Sequence, residues 1–426
     1  MSYGNVSLEP VHIVLLFLFL YFFFSTRVLG EASLLLSYAP IFWILYTSYL
    51  LLSFVFLLRK GLNPAVVALL PQLLYVPAFF IIYFCLFRAV LGGSNFKYYL
   101  GAGLAIIVFF LALGISATIG GADLGVAWSG LVGGGSFYGF NRVFTRAIFI
   151  SSGFQSALSS EQFTEYSTSI KNELSSCVVV LYAIMRSLRD FRSTLWSRVF
   201  ESACFGIVAI VVVLSFSRSA FLGFGLALSV SFAVSILSSR SPIDRTFLAA
   251  LGFLIAVAAI AVLSNVGPVL LSSFEDSTSY EERLEQFNTA VHIIDANIWS
   301  GTGTNVDIGG HDIHNLFLAT WAKSGFFPFL AVLLAYLLLL GTWLGTLVKT
   351  ITVRNFWRLA GDPGWVFAIP IVPLLRVYLS GKGGTFSVSM WLGTAAFLAF
   401  IVANRAAILQ AFGAEGDRLE SNGEHS

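Results

Sequence analysis

VFESACFGIVAIVVVLSFSRSAFLGFGLALSVSFAVSIL, residues 199–237, consists of two apolar runs, Val199 to Phe216 and Ala220 to Leu237, joined by Ser217-Arg218-Ser219. Each run approaches the ~20 residues a helix needs to cross ~30 Å of hydrocarbon. Runs this continuous exclude a lipid-facing barrel, whose strands alternate over ~10 residues. A helix closes its backbone hydrogen bonds internally and so tolerates lipid. Arg218 then sits at the hydrocarbon boundary, where a charge is costly without water or a partner. It either snorkels into headgroups, pins the turn by binding carbonyls, or holds a ligand. Its planar, permanently charged fork suits two oxygens of a diphosphate.

The whole chain repeats this pattern. Of 426 residues, 57% are hydrophobic and 11% charged, and the mean hydropathy is +0.86. A soluble protein carries about twice that charged fraction, so the bilayer is the solvent. The expected fold is all-α, a polytopic bundle of about eleven or twelve transmembrane helices with an extracytoplasmic loop carrying an amphipathic helix. Cys85, Cys177 and Cys204 fall inside apolar runs and read as small buried hydrophobes. No zinc spacing, Walker loop or dinucleotide fingerprint is present, and no nucleic-acid partner is expected. The first residues lack the positive region of a cleaved signal peptide, so the first apolar run is expected to stay as a helix.

Outward from Arg218, the chain divides into six parts. Residues 1–119 predict four helices, Pro10–Leu29, Leu34–Leu58, Ala65–Phe87 and Tyr98–Ile119. Residues 120–171 are rich in Gly, Ser and Thr, carry Arg142 and Arg146, and form an aqueous loop or a re-entrant segment. Residues 172–271 hold the central helices: Asn172–Leu188, the two runs above and Phe247–Leu271. Residues 272–315 are an acidic extracytoplasmic loop. Residues 316–412 hold Leu316–Leu347, long enough to tilt or contain an extramembrane turn, then Trp365–Leu379 with Pro370 and Pro373, then Phe386–Ala403. Residues 413–426 form a polar cytoplasmic tail, expected to be disordered. The clusters Arg186 to Arg198, Arg240 to Arg245 and Lys349 to Arg358 mark one side as cytoplasmic. Arg218 and the acidic loop fall on the other side. Counting backward puts the N-terminus outside, and only Arg59-Lys60 disagrees. Trp299, Trp321 and Trp365 fall near predicted boundaries, as an interfacial belt would have them.

The acidic loop and the residues after it, Ser272 to Trp321, read SSFEDSTSYEERLEQFNTAVHIIDANIWSGTGTNVDIGGHDIHNLFLATW, with Arg283 as the only basic side chain. Ser279-Tyr280-Glu281-Glu282 fits a capping box with Ser279 as N-cap. Leu284, Phe287, Val291, Ile294 and Ile298 then recur at steps of three and four. They predict an amphipathic helix on the membrane surface or over a cleft. Arg283 lies at the edge of that stripe; it pairs with a local carboxylate or meets an anionic ligand. Glycines at 301, 303, 309 and 310 permit tight turns that return His311 and His314 to the start of the next helix. His314 at that N-terminus is favoured as a neutral imidazole, able to accept a proton or simply to cap the helix. A metal held by His311 and His314 lacks a third ligand at suitable spacing.

Taken in order, these motifs resemble the O-antigen ligase and O-antigen polymerase superfamily. Ser217-Arg218-Ser219-Ala220 is similar to its S-R-[GS]-A signature. Gly301-Thr302-Gly303, His314-Asn315-Leu316-Phe317-Leu318 and Lys323-Ser324-Gly325-Phe326 are similar to its G-x-G … H-N-x-x-L … G pattern. The resemblance covers Arg142 to Tyr336. It departs at Ile298-Trp299-Ser300, where a proline usually precedes the first glycine, and it is loose between Arg142 and Asn172.

The resemblance implies a glycan on undecaprenyl diphosphate as donor, transferred to an acceptor hydroxyl with no nucleotide sugar, required metal or other cofactor. Arg218 and Arg283 would hold the diphosphate and stabilise its developing charge. His314 would act as general base or orient the acceptor. Arg142, Arg146, His311 and Asn315 would complete substrate binding. The location implied is the bacterial inner membrane, with the active site on the periplasmic face. Membrane lipid, a chain-length regulator and a flippase are the expected partners. The first reading is a polymerase building an O-antigen, capsule or exopolysaccharide. The alternatives are a ligase acting on a lipid core or protein, and a transporter of a lipid-linked sugar. Against the transporter, the sequence shows no internal repeat, and its polar candidates cluster at one face instead of the midplane.

Overall fold

The computed structural model describes residues 48, 51–52, 55, 101, 175–188, 195–215, 218–238, 278–302, 313, 315–352, 363–372, 374–375, 389–390 and 392–404. The helices among them are α1 (Ser175–Ser187), α2 (Leu195–Ser215), α3 (Arg218–Ser238), α4 (Thr278–Ala296), α5 (Leu316–Ser324), α6 (Phe326–Thr352), α7 (Pro363–Ala368) and α8 (Leu392–Asn404). No strand forms among the described residues. The fold is an all-α membrane helical assembly. Among the described residues, three stretches are long and apolar enough to cross a bilayer: Leu195–Val212, Ala220–Leu237 and Phe326–Thr350. The helices expected within 1–119 and at 247–271, the polar segment 120–171, the turns at 240–245 and 354–358, and the tail lie outside the described residues.

Burial sorts the helices into two layers. Along α8, Ala395, Ala396, Phe397, Ala399 and Phe400 are buried in succession, and along α1 so are Val178 to Val180 and Tyr182 to Met185. A helix buried all round stands at the centre of a bundle. The long helices surround it and keep exposed apolar faces, with Ile210 on α2, Phe221 and Leu226 on α3, and Leu337 and Leu344 on α6. Those are the faces a bilayer covers. Cys204 is buried and Cys177 partly so.

Helix α7 fixes the relative level of α3 and α6. A Cβ on Gly364 would stand 2.3 Å from the Ser231 carbonyl oxygen, so α7 touches α3 backbone to backbone. Within the same turn of α7, the Phe367 carbonyl accepts a hydrogen bond of 3.0 Å from Trp343 Nε1 on α6. The helix gives way to a turn at Ile369-Pro370, because Pro370 lacks an N–H and its ring crowds the preceding turn. The predicted span from Trp365 to Leu379 is therefore interrupted. Trp365 is also not interfacial: it is buried and meets Tyr182 edge-on at 5.0 Å.

Ser231 lies about 20 Å along α3 from Arg218, and Trp343 about 26 Å along α6 from Phe326, at 1.5 Å per residue. Helix α2 ends just before α3 starts, and Phe205 meets Phe224 at 5.8 Å, so the two form an antiparallel hairpin. Arg186 of α1 is only partly exposed and pairs with Glu201 of α2.

Candidate functional site

Two glycines join the loop motifs to the start of α6. Gly301 has φ +61° and Gly325 has φ +92°. A Cβ on Gly301 would lie 2.5 Å from the Lys323 carbonyl oxygen, and one on Gly325 would lie 2.3 Å from that of Trp299. Each glycine thus admits the backbone of the segment carrying the other, in a conformation side chains disfavour. Four hydrogen bonds close this seam. Thr302 N donates to the Ala322 carbonyl at 2.9 Å and Phe326 N to that of Ile298 at 3.1 Å. Thr302 Oγ1 donates to Ala322 O, and Trp321 Nε1 to Ile298 O, each at 3.1 Å. Trp321 stacks on Phe329 at 4.4 Å, and Trp299 meets Phe326 edge-on at 5.5 Å.

Gly325 also separates α5 from α6. The expected continuous helix Leu316–Leu347 is thus a short helix and a membrane span, which realises its turn alternative. Pro328 falls in the first turn of α6, where its missing N–H costs nothing.

Helix α4 runs parallel to α5. Its C-terminal Ile298 is bonded to Trp321 and Phe326, while Ala290 and Ile294 share a buried cluster with Ile313, Ala319 and Ala322. Of the predicted stripe, Ile294 alone is buried on this face. The predicted stripe is largely exposed: Leu284 and Phe287 at 49% each, with Ile298 and Trp299 beyond them. The buried positions are Gln286, Ala290 and Ile294, a face turned by roughly 80° at 100° per residue. The exposed stripe continues through Trp299, 6.0 Å from Phe327, onto the exposed face of α6. The helix starts at Thr278, which puts Ser279 inside it and not at the N-cap.

Arg218 is the first residue of α3, and Arg283 lies in the second turn of α4. By register, position 283 falls on the docking face, one turn before Gln286. Asn315 is the N-cap of α5, with φ −132° and ψ 121°. Its Oδ1 accepts from Phe317 N at 2.9 Å and Leu318 N at 3.2 Å. The capping role open to His314 in the sequence therefore belongs to Asn315. Arg142, Arg146, His311 and His314 lie outside the described residues. Gln286 was missed in the sequence. The signal was an amide three residues after Arg283 and four before Ala290.

Residues 203–333 match the family model described as O-antigen ligase. The match spans about a third of the chain and supports the resemblance to the O-antigen ligase and polymerase superfamily. No curated protein matches the chain. The matched segment begins inside α2, takes in Arg218, α4, the seam and α5, and ends in α6.

Proposed function

We propose that this protein polymerises undecaprenyl-diphosphate-linked oligosaccharide repeat units into a surface polysaccharide, on the extracytoplasmic face of the bacterial inner membrane. The O-antigen ligase match over residues 203–333 carries this reading. Support comes from the seam that joins α4, α5 and α6 inside the matched segment.

In this reading Arg218 and Arg283 bind the diphosphate. Cations there stabilise the charge that grows as the glycosidic bond breaks. Arg218 opens α3, whose first N–H groups and dipole add to its attraction for an anion. His314, favoured as the neutral imidazole by the start of α5, takes the proton of the acceptor hydroxyl and becomes the imidazolium as the diphosphate leaves. Arg142, Arg146 and His311 assist binding, and Asn315 contributes through Nδ2 while capping α5. Membrane lipid surrounds the span, and a flippase and a chain-length regulator act alongside.

A second reading is ligation of a finished glycan to a lipid core or protein, favoured by the description of the matching family. Deleting the gene and resolving surface glycans together with lipid-linked intermediates separates them. A polymerase deletion leaves single units on the final acceptor and abolishes the ladder. A ligase deletion leaves polymer on the lipid carrier. Accumulation of lipid-linked units on the cytoplasmic leaflet replaces the enzyme reading with transport. Complementation with Arg218→Ala and His314→Ala then tests the roles, and full activity in both overturns them.

A further inference from the structure

Gln286 is the anomaly of the α4 docking face. It is 5% exposed, and its buried Oε1 has no hydrogen-bond partner. Buried polar atoms are paired in the great majority of cases, because leaving one unpaired forfeits its hydration. Its neighbours along the same face, Ala290 and Ile294, fill an apolar cluster and need nothing.

Position decides what the amide serves. With Ile298 level with Phe326 and the two helices parallel, twelve residues back along α4 brings Gln286 level with the start of α5. There Asn315 serves the N–H groups of Phe317 and Leu318. The cap does not reach those of Asn315 and Leu316. A buried acceptor and a helix N-terminus thus share one end of the α4–α5 pair. Register places position 283 one turn away on the same α4 face, about 5–6 Å between Cβ atoms.

We propose that Gln286 binds a sugar hydroxyl of the glycan substrate, accepting its proton through Oε1. The ligand must bring a donor, which excludes the diphosphate itself, an acceptor throughout. A hydroxyl donates to Oε1 and can accept in turn from an N–H at the start of α5. The spacing of positions 283 and 286 matches an arginine on the diphosphate and an amide on the sugar it carries. This inference rests on the proposed function, since it deepens the same site.

The test uses the full-length protein in nanodiscs, with two probes: undecaprenyl diphosphate, and the lipid-linked glycan extracted from a deletion strain. Gln286→Leu removes the acceptor and keeps the bulk, and Gln286→Glu keeps an acceptor. Removing one neutral hydrogen bond weakens binding by about tenfold. The expected Gln286→Leu result is that loss for the lipid-linked glycan, unchanged affinity for undecaprenyl diphosphate, and a melting temperature equal to or above wild type. Gln286→Glu retains glycan binding. If the bound hydroxyl belongs to the acceptor glycan, the loss appears instead as a raised acceptor KM in transfer assays with donor affinity unchanged. Equal glycan affinity and equal KM in Gln286→Leu overturn the proposal and leave Oε1 to a water. Parallel loss of melting temperature and of both affinities in Leu and Glu variants also overturns it, making Gln286 a packing residue. Failure of the wild type to bind either probe sinks the proposed function, and this inference with it.

Discussion

Gly325→Ala is the sharpest perturbation the seam allows. The native backbone there, φ +92° and ψ −176°, belongs to a region occupied almost only by glycine, and forcing another residue into it costs about 1–3 kcal/mol. The new Cβ would also meet the Trp299 carbonyl oxygen at 2.3 Å and its carbon at 2.8 Å. Both are backbone atoms, which cannot rotate aside, so the two segments must part. Each seam hydrogen bond contributes about 1 kcal/mol net. Losing half of the four raises the total cost to roughly 3–5 kcal/mol. The bundle core around α8 shares none of these contacts, so the seam opens locally while the membrane helices stay folded. Hydrogen exchange read by mass spectrometry should show faster exchange of Thr302 and Phe326 by about two to three powers of ten, with α8 unchanged. Glycan transfer in the complemented deletion strain should fall to near zero. Gly341→Ala on α6, whose Cβ would meet nothing within 4 Å, is the control and should behave as wild type. Native exchange and native activity in Gly325→Ala would refute the claim that this junction holds the site together.

Three further outcomes follow from other contacts. Asn315→Ala removes the α5 cap and should cost about 1 kcal/mol, read as a lower melting temperature, whereas Asn315→Asp keeps the cap and the stability; a loss of transfer in the Asp variant at full stability isolates the contribution of Nδ2. Trp343→Phe deletes the hydrogen bond to the Phe367 carbonyl and should destabilise the protein by about 1 kcal/mol, in a thermal melt of the detergent-solubilised protein. Arg186→Met strands Glu201 and should cost about 1–3 kcal/mol, less than a fully buried pair because both partners keep some exposure; Arg186→Met with Glu201→Gln should recover most of it in the same melt.

The fold class was legible because lipid demands an extreme of composition that no soluble chain reaches. The runs on either side of Arg218 predicted α2 and α3 to within a few residues, and only their ends moved, as helix ends do. The break at Gly325 was harder to place. A glycine inside an apolar run is common in membrane helices, and only the approach of Trp299 and Ser300 shows why this one ends a helix. The order of Gly301, Asn315 and Gly325 along the chain was legible as a pattern. Their contact was not, since Gly301 meets Lys323, 22 positions further along the chain.

That most of the apolar stripe of α4 turns away from α5 has a more general cause. In a soluble protein the apolar stripe of a helix points at the protein, because water is the only alternative. At a membrane surface the alternative is lipid, which is as apolar as leucine, so hydrophobicity no longer names the partner. What marks the protein-facing side is close approach by small residues, and α4 docks with Ala290 against a cluster that contains Ala319 and Ala322. Leu284 and Phe287 are left exposed on another side, in line with the bare apolar face of α6. A single polar residue then stands out against that small-residue face far more than among the charges of the solvent side. Gln286 was unremarkable in sequence for the same reason that the stripe was misleading: its significance depends on which side of α4 is dry, and that side is set by the seam at Gly301 and Gly325.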